Sequence, residues 1–94
     1  MLTERQWMAM VIELLQAHQW LVYHTYDSRR SPAGFPDLLA VKDGRILAIE
    51  CKTEKGRLTA DQHRWLRLLN GVKVVDAFVL RPASDMSELE ELVA

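Results

Sequence analysis

Gly34-Phe35-Pro36-Asp37-Leu38-Leu39-Ala40-Val41-Lys42-Asp43-Gly44-Arg45-Ile46-Leu47-Ala48-Ile49-Glu50-Cys51-Lys52 is the stretch that decides the fold. Two apolar runs flank Asp43-Gly44, a pair favoured where a two-residue hairpin turn needs positive φ at both positions. With that turn Lys42 stands across from Arg45, and counting outward puts Asp37 across from Glu50. Cross-strand partners lie about 4.5–5.5 Å apart at Cβ. Like charges placed there destabilise a sheet by about 0.2–1 kcal/mol, so this pair calls for a cation between its members. Lys52 follows Glu50 by two residues and shares its face. One hairpin face thus carries two hard oxygen donors and an ammonium, a set suited to cutting a phosphodiester.

Both faces of the hairpin are apolar. Leu39, Val41, Ile46 and Ala48 share the side of Asp37 and Glu50, and Leu38, Ala40, Leu47, Ile49 and Cys51 occupy the other. A sheet covered on both sides implies helices above and below it, a layered α/β fold. Residues 3 to 18 supply the first helix, with Thr3 as N-cap, Gln6 in the capping-box position and Trp7, Val11, Leu14, Leu15 and His18 on one stripe. Residues 20 to 26 read as a first strand, residues 27 to 34 as a polar turn-rich loop, and Pro36 opens the second strand. Thr59 caps a second helix that runs to Asn70, with Gly71 as its stop. Residues 72 to 80 form a fourth strand ended by Arg81-Pro82, and the helix before it makes a crossover that sets strands three and four parallel. Residues 85 to 93 form a last helix, short, acidic and peripheral. No linker, repeat or low-complexity segment interrupts residues 1–94, which read as one domain.

A chain of 94 residues buries only a little more than about 60% of its unfolded surface, so the core is modest. No apolar run approaches the roughly 18 residues that span a bilayer, which excludes a membrane helix. Met1 leads into Thr3-Glu4-Arg5-Gln6 without a basic leader or cleavage site, so no secretory signal is expected. The lone Cys51 excludes an internal disulfide and fits a reducing cytoplasm. The formal net charge of −1 hides an asymmetry: residues 29 to 73 hold ten Lys or Arg against five Asp or Glu, while the remainder holds two against eight. The positive half contains the Asp37, Glu50 and Lys52 set. That field suits a polyanion, because phosphate contacts supply most non-specific nucleic-acid affinity.

Glu50 interrupts an apolar run in a strand that should be buried, where an unpaired carboxylate is costly. An ion pair with Lys52 is one solution. A hard cation such as Mg2+, held by Asp37, Glu50 and the Cys51 carbonyl, is the other. In the catalytic reading the Lys52 ammonium lies near the attacking water and the scissile phosphate. Gln62 has two readings, as the capping-box partner of Thr59 or as an amide facing the sheet near Lys52. Glu13 falls on the solvent side of its helix, away from the Trp7 stripe. His24, Arg29, Arg30, Lys55, Arg57, His63, Arg64 and Arg67 border the site as phosphate contacts. No zinc spacing links His18, His24, His63 and Cys51.

Gly34-Phe35-Pro36-Asp37, Glu50-Cys51-Lys52 and Leu58-Thr59-Ala60-Asp61-Gln62-His63-Arg64-Trp65-Leu66 together resemble the stand-alone phage and prophage VRR-NUC domain of the PD-(D/E)XK nuclease superfamily. Val11-Ile12-Glu13-Leu14, Trp20-Leu21-Val22-Tyr23-His24 and Ser28-Arg29-Arg30-Ser31 extend the resemblance over nearly the whole chain. It implies a restriction-endonuclease-like αβββαβ core with a mixed four-stranded sheet, and Mg2+- or Mn2+-dependent DNA cleavage. Asp37 and Glu50 would be ligands, Lys52 the catalytic lysine and Gln62 an accessory residue. It also implies an acid from the first helix as a further ligand, and Glu13 matches that position better than Glu4. Branched or junction DNA is the implied substrate and a homodimer the implied assembly, since two cuts need two sites. Two rivals stay open: a non-catalytic nucleic-acid-binding module on the same fold, and an interaction protein whose Asp37, Glu50 and Lys52 form a structural ion network.

Overall fold

The computed structural model describes residues 2–25 and 32–94. The central turn has the backbone its residues favour, with φ of +48° at Asp43 and +76° at Gly44. Both signs belong to the turn type whose twist matches that of paired strands. From it run strands β2 (Leu38–Lys42) and β3 (Arg45–Cys51), antiparallel, with Lys42 opposite Arg45 and Leu38 opposite Ile49. The ladder ends there, and Asp37, one residue before it, lies outside the strand with a carboxylate oxygen within 4.8 Å of one from Glu50.

The other elements are helix α1 (Glu4–Ala17), strand β1 (Leu21–His24), helix α2 (Ala60–Leu69), strand β4 (Val75–Leu80) and helix α3 (Pro82–Val93). The sheet order is β1-β2-β3-β4, antiparallel except for the parallel β3/β4 pair that follows the α2 crossover. The αβββαβ core with an appended helix is therefore the architecture expected. Thr3 and Thr59 cap α1 and α2, each in a complete capping box with Gln6 or Gln62. Each face has its own core. Leu38, Ala40, Leu47, Ile49, Cys51 and Leu80 pack under α1 and α3 with Trp7, Val11, Leu15 and Trp20. Ala48, Val75 and Ala77 pack under Leu66 of α2, with Leu39 and Ile46 beside them.

Three boundaries differ from the sequence reading. The first strand is confined to Leu21–His24, and Tyr26 lies outside the described residues. Strand β4 starts at Val75 because residues 71 to 74 continue the turn that leaves α2, with the Val75 N–H donating to the Val72 carbonyl. The Asn70 side chain then closes the free edge of β4, its amide donating to the Ala77 carbonyl at 2.7 Å and accepting from the Ala77 N–H at 2.8 Å. An edge strand so blocked is a poor template for a foreign strand.

Helix α3 begins at Pro82, three residues early, because proline suits the first helical position and the Asp85 carboxylate accepts from the Arg81 N–H. Nor is this helix peripheral. Leu89 and Val93, one turn apart, are buried in the α1 core, and the Val93 carbonyl accepts from the Trp20 indole. Leu89→Ala is accordingly expected to destabilise the fold by about 2–5 kcal/mol, read as a lower urea midpoint. A midpoint unchanged by this substitution would return α3 to the periphery.

Candidate metal centre

Asp37 is held from three sides. Pro36 before it is buried, the Asp37 carbonyl accepts from the Thr25 N–H at 3.0 Å, and its Oδ2 accepts from the Cys51 N–H at 3.0 Å. Where the β2/β3 ladder runs out, a carboxylate has thus replaced a main-chain acceptor. The preceding loop reaches this place only because residue 34 is glycine. Gly34 has φ of +88°, and a Cβ there would lie 2.5 Å from the Asp61 carbonyl carbon in the first turn of α2. The loop is fixed to α2 by the Trp65 indole, which donates to the Ala33 carbonyl at 3.1 Å and meets Phe35 edge-on at 5.0 Å.

Glu50 is only 2% exposed, on the α2 side of the sheet. Its Oε2 accepts from Gln62 Nε2 at 3.1 Å and lies 3.8 Å from the Lys52 ammonium. Among the described residues its Oε1 is buried without a hydrogen-bond donor. Carboxylate oxygens of Glu4, Asp37 and Glu50 all lie within 4.8 Å of one another. Three acids so gathered could hold a hard divalent cation, which takes oxygen ligands and tolerates several carboxylates.

Electrostatics follow from this crowding. Burial, then the charge of Asp37 and a hydrogen bond to it, raise the Glu50 carboxyl to about 8, against which Lys52 pulls downward. Below that pH Glu50 carries a proton, which a cation binding there would have to displace. Burial likewise pushes the Cys51 thiol upward. The thiol packs in the α1 core, on the opposite face from Glu50 as the strand alternation requires, so any ligand from residue 51 is its carbonyl.

The two readings of Gln62 turn out to be compatible. Its Oε1 accepts from the Thr59 N–H at 2.9 Å, completing the capping box, while its Nε2 turns to Glu50. The helix acid is a correction. Glu4, not Glu13, stands beside Asp37 and Glu50. The reason is the Trp7 indole, which donates to the Leu80 carbonyl at 3.0 Å, the same carbonyl that accepts from the Lys52 N–H. That bond brings the first turn of α1 to the ends of β3 and β4, and Glu4, three residues before Trp7, shares its side of the helix. Glu13 lies nine residues farther on, about 13 Å along the axis, in a groove with Met10, Met86 and Glu90. Glu4→Ala is expected to weaken Mn2+ binding about tenfold or more in calorimetry and Glu13→Ala to leave it unchanged. The reverse pattern would restore Glu13.

Lys55, Arg57, His63, Arg64 and Arg67 are exposed on the segment after β3 and on α2, and His24 is half-buried at the end of β1. Arg29 and Arg30 lie outside the described residues. Among the described residues no helix is long and apolar enough to cross a membrane.

A model of the VRR-NUC domain matches residues 2–82. Among curated protein sequences none matches the chain. A solved structure similar to this one is that of Archaeoglobus fulgidus Hjc, a Holliday junction resolvase from an archaeal hyperthermophile. The two are 26% identical with a TM-score of 0.55, the match covering 86% of this chain and 67% of Hjc.

Proposed function

Because this chain belongs to the VRR-NUC domain family, we propose that it is a divalent-metal-dependent endonuclease that hydrolyses DNA phosphodiester bonds, with a preference for branched or junction DNA. The observation that carries this is the convergence of Glu4, Asp37 and Glu50 around a buried oxygen without a donor, beside the Lys52 ammonium. Those three carboxylates, with the Cys51 carbonyl, would hold Mg2+ or Mn2+. A cation bound there supplies Lewis-acid polarisation of the phosphoryl oxygen and makes water a stronger nucleophile at neutral pH.

The protein's own groups do the rest. Lys52, a compact point charge, offsets negative charge gathering on the phosphoryl oxygens and orients the attacking water in line with the leaving oxygen. Gln62 fixes the Glu50 carboxylate through its amide and is itself fixed by the cap it makes with Thr59. Cys51 N–H does the same for Asp37. Lys55, Arg57, His63, Arg64 and Arg67, with His24, Arg29 and Arg30, are proposed as phosphate contacts that hold the duplex without reading its sequence. Pairing of two copies would bring two sites to one junction.

The preference for branched DNA rests on the likeness to Hjc, itself a Holliday junction resolvase. It is tested by offering one sequence as a four-way junction, a splayed duplex and a linear duplex, with Mn2+. Faster cutting of the branched forms is expected; equal cutting of all three would remove the structural preference. DNA binding that survives Glu50→Ala in a chain that neither binds Mn2+ nor cuts would support the non-catalytic module instead.

A further inference from the structure

Lys52 is the first residue beyond β3, where the chain leaves the sheet. Its ammonium rides on a four-carbon stem with about 2 kcal/mol of rotamer entropy, so holding it beside Glu50 requires something behind the stem. The turn that follows supplies it. A Cβ placed on Gly56 would lie 3.4 Å from Lys52 Cδ, in ordinary contact, so the turn runs alongside the stem with room for no more than about a methyl group between them. That turn is held by Arg81, the residue between β4 and α3. Arg81 Nη1 donates to both the Thr53 carbonyl at 2.5 Å and the Gly56 carbonyl at 2.6 Å, the two ends of the turn, and the Gly56 N–H donates to the Thr53 carbonyl at 3.2 Å. Glu54, at the top of the turn, accepts from the Ala83 N–H and the Ser84 hydroxyl in the first turn of α3. Arg81 itself is fixed through its N–H to Asp85, one residue after the Leu80 carbonyl that receives the Lys52 N–H.

We infer that Arg81 is a positioning residue for Lys52: it closes the Thr53–Gly56 turn against the stem and so sets the place of the ammonium in the metal centre. This rests on the nuclease reading of the site. A guanidinium that merely stabilised the start of α3 would have no reason to gather carbonyls from the segment after β3, and its loss would lower every activity of the chain alike. An ammonium displaced by about 1 Å, by contrast, costs a reaction about a hundredfold while leaving ligand binding in place.

The experiment is a double-mutant cycle in single-turnover cleavage of a four-way junction with Mn2+, using the full chain as wild type, Arg81→Gln, Lys52→Ala and the double variant. Arg81→Gln is expected to slow cutting about 10- to 100-fold with Mn2+ and junction affinities retained, yet to change the residual rate of Lys52→Ala by less than about twofold. Arg81→Lys should recover most of the loss, because one ammonium can donate to both carbonyls. Hydrogen exchange at the Gly56 amide should quicken in Arg81→Gln. Should that variant not fold, Arg81→Lys is read in the same cycle, with a few-fold loss confined to the chain that has Lys52. Arg81→Gln that cuts as fast as wild type, or slows both backgrounds equally, overturns the positioning role alone. Wild type that cuts no junction overturns the nuclease reading instead, and the positioning role with it.

Discussion

Glu50→Gln is expected to abolish metal-dependent cleavage and, in EDTA, to raise the melting temperature of the protein. The two effects share one cause. In the metal-free chain Glu50 is buried among like charges, with its carboxyl raised from 4.5 to about 8. Between those values the native state holds a proton that the unfolded chain has released, so native stability is fully present below about 4.5 and is lost as pH rises through 8. An amide carries no such liability. It keeps an oxygen for Gln62 and places N–H donors in the pocket where Oε1 has none. At pH 8 the gain is of order 1–3 kcal/mol, or about 4–8 °C for each kcal/mol in a domain of this size, and it shrinks toward pH 4.5. With Mn2+ at a thousandfold over its dissociation constant, wild type gains about 4.1 kcal/mol that the variant does not, and the order of melting temperatures reverses. Thermal denaturation with and without Mn2+ at pH 5 and 8 checks both halves. A variant less stable than wild type in EDTA at pH 8 would mean that Glu50 is a structural ion-pair partner of Lys52.

Lys52→Ala is expected to separate binding from chemistry. Removing a preorganised charge from the transition state would slow cleavage by about 10²–10³, while the three carboxylates proposed to hold the cation stay in place. A second consequence distinguishes this lysine from a surface one. Lys52 is the group that pulls the Glu50 carboxyl downward, so its loss pushes that carboxyl further up and shifts the onset of Mn2+ binding to higher pH. Calorimetric titration across pH 6 to 9 reads the shift. If the onset does not move and the cleavage rate is within twofold of wild type at every pH, Lys52 has no part in the centre.

Much of this was legible because it is local. Asp43-Gly44 needs two positive φ values, only certain hairpin turns provide them, and the turn then fixes the register that places Asp37 by Glu50. The alternation of apolar residues in β2 and β3 correctly divides the two cores and sends the Cys51 thiol away from the site. What was missed depends on contacts far apart in the chain. Glu4 looks like an ordinary first-turn acid until the Trp7 indole meets the Leu80 carbonyl, 73 residues away, and pulls its helix end to the sheet. Val72 and Val74 are strand-prone, yet the turn leaving α2 takes them because its backbone bonds and the Asn70 amide fix where β4 begins. In α3 the Leu89/Val93 spacing was visible, but four acids in a short segment concealed a helix with a buried stripe. Gln62 resisted a single reading because its amide has two ends, and each serves one of the two roles.

The most direct test of the central claim is cleavage of a four-way junction by the full chain in Mg2+ or Mn2+, set beside the same reaction in EDTA and with Lys52→Ala. Cutting by wild type that stops in EDTA and falls by about 10²–10³ in the variant is the predicted result. Cutting that persists in EDTA or is equal in the two chains, or no cutting at any protein concentration by a wild type that binds Mn2+, would contradict it.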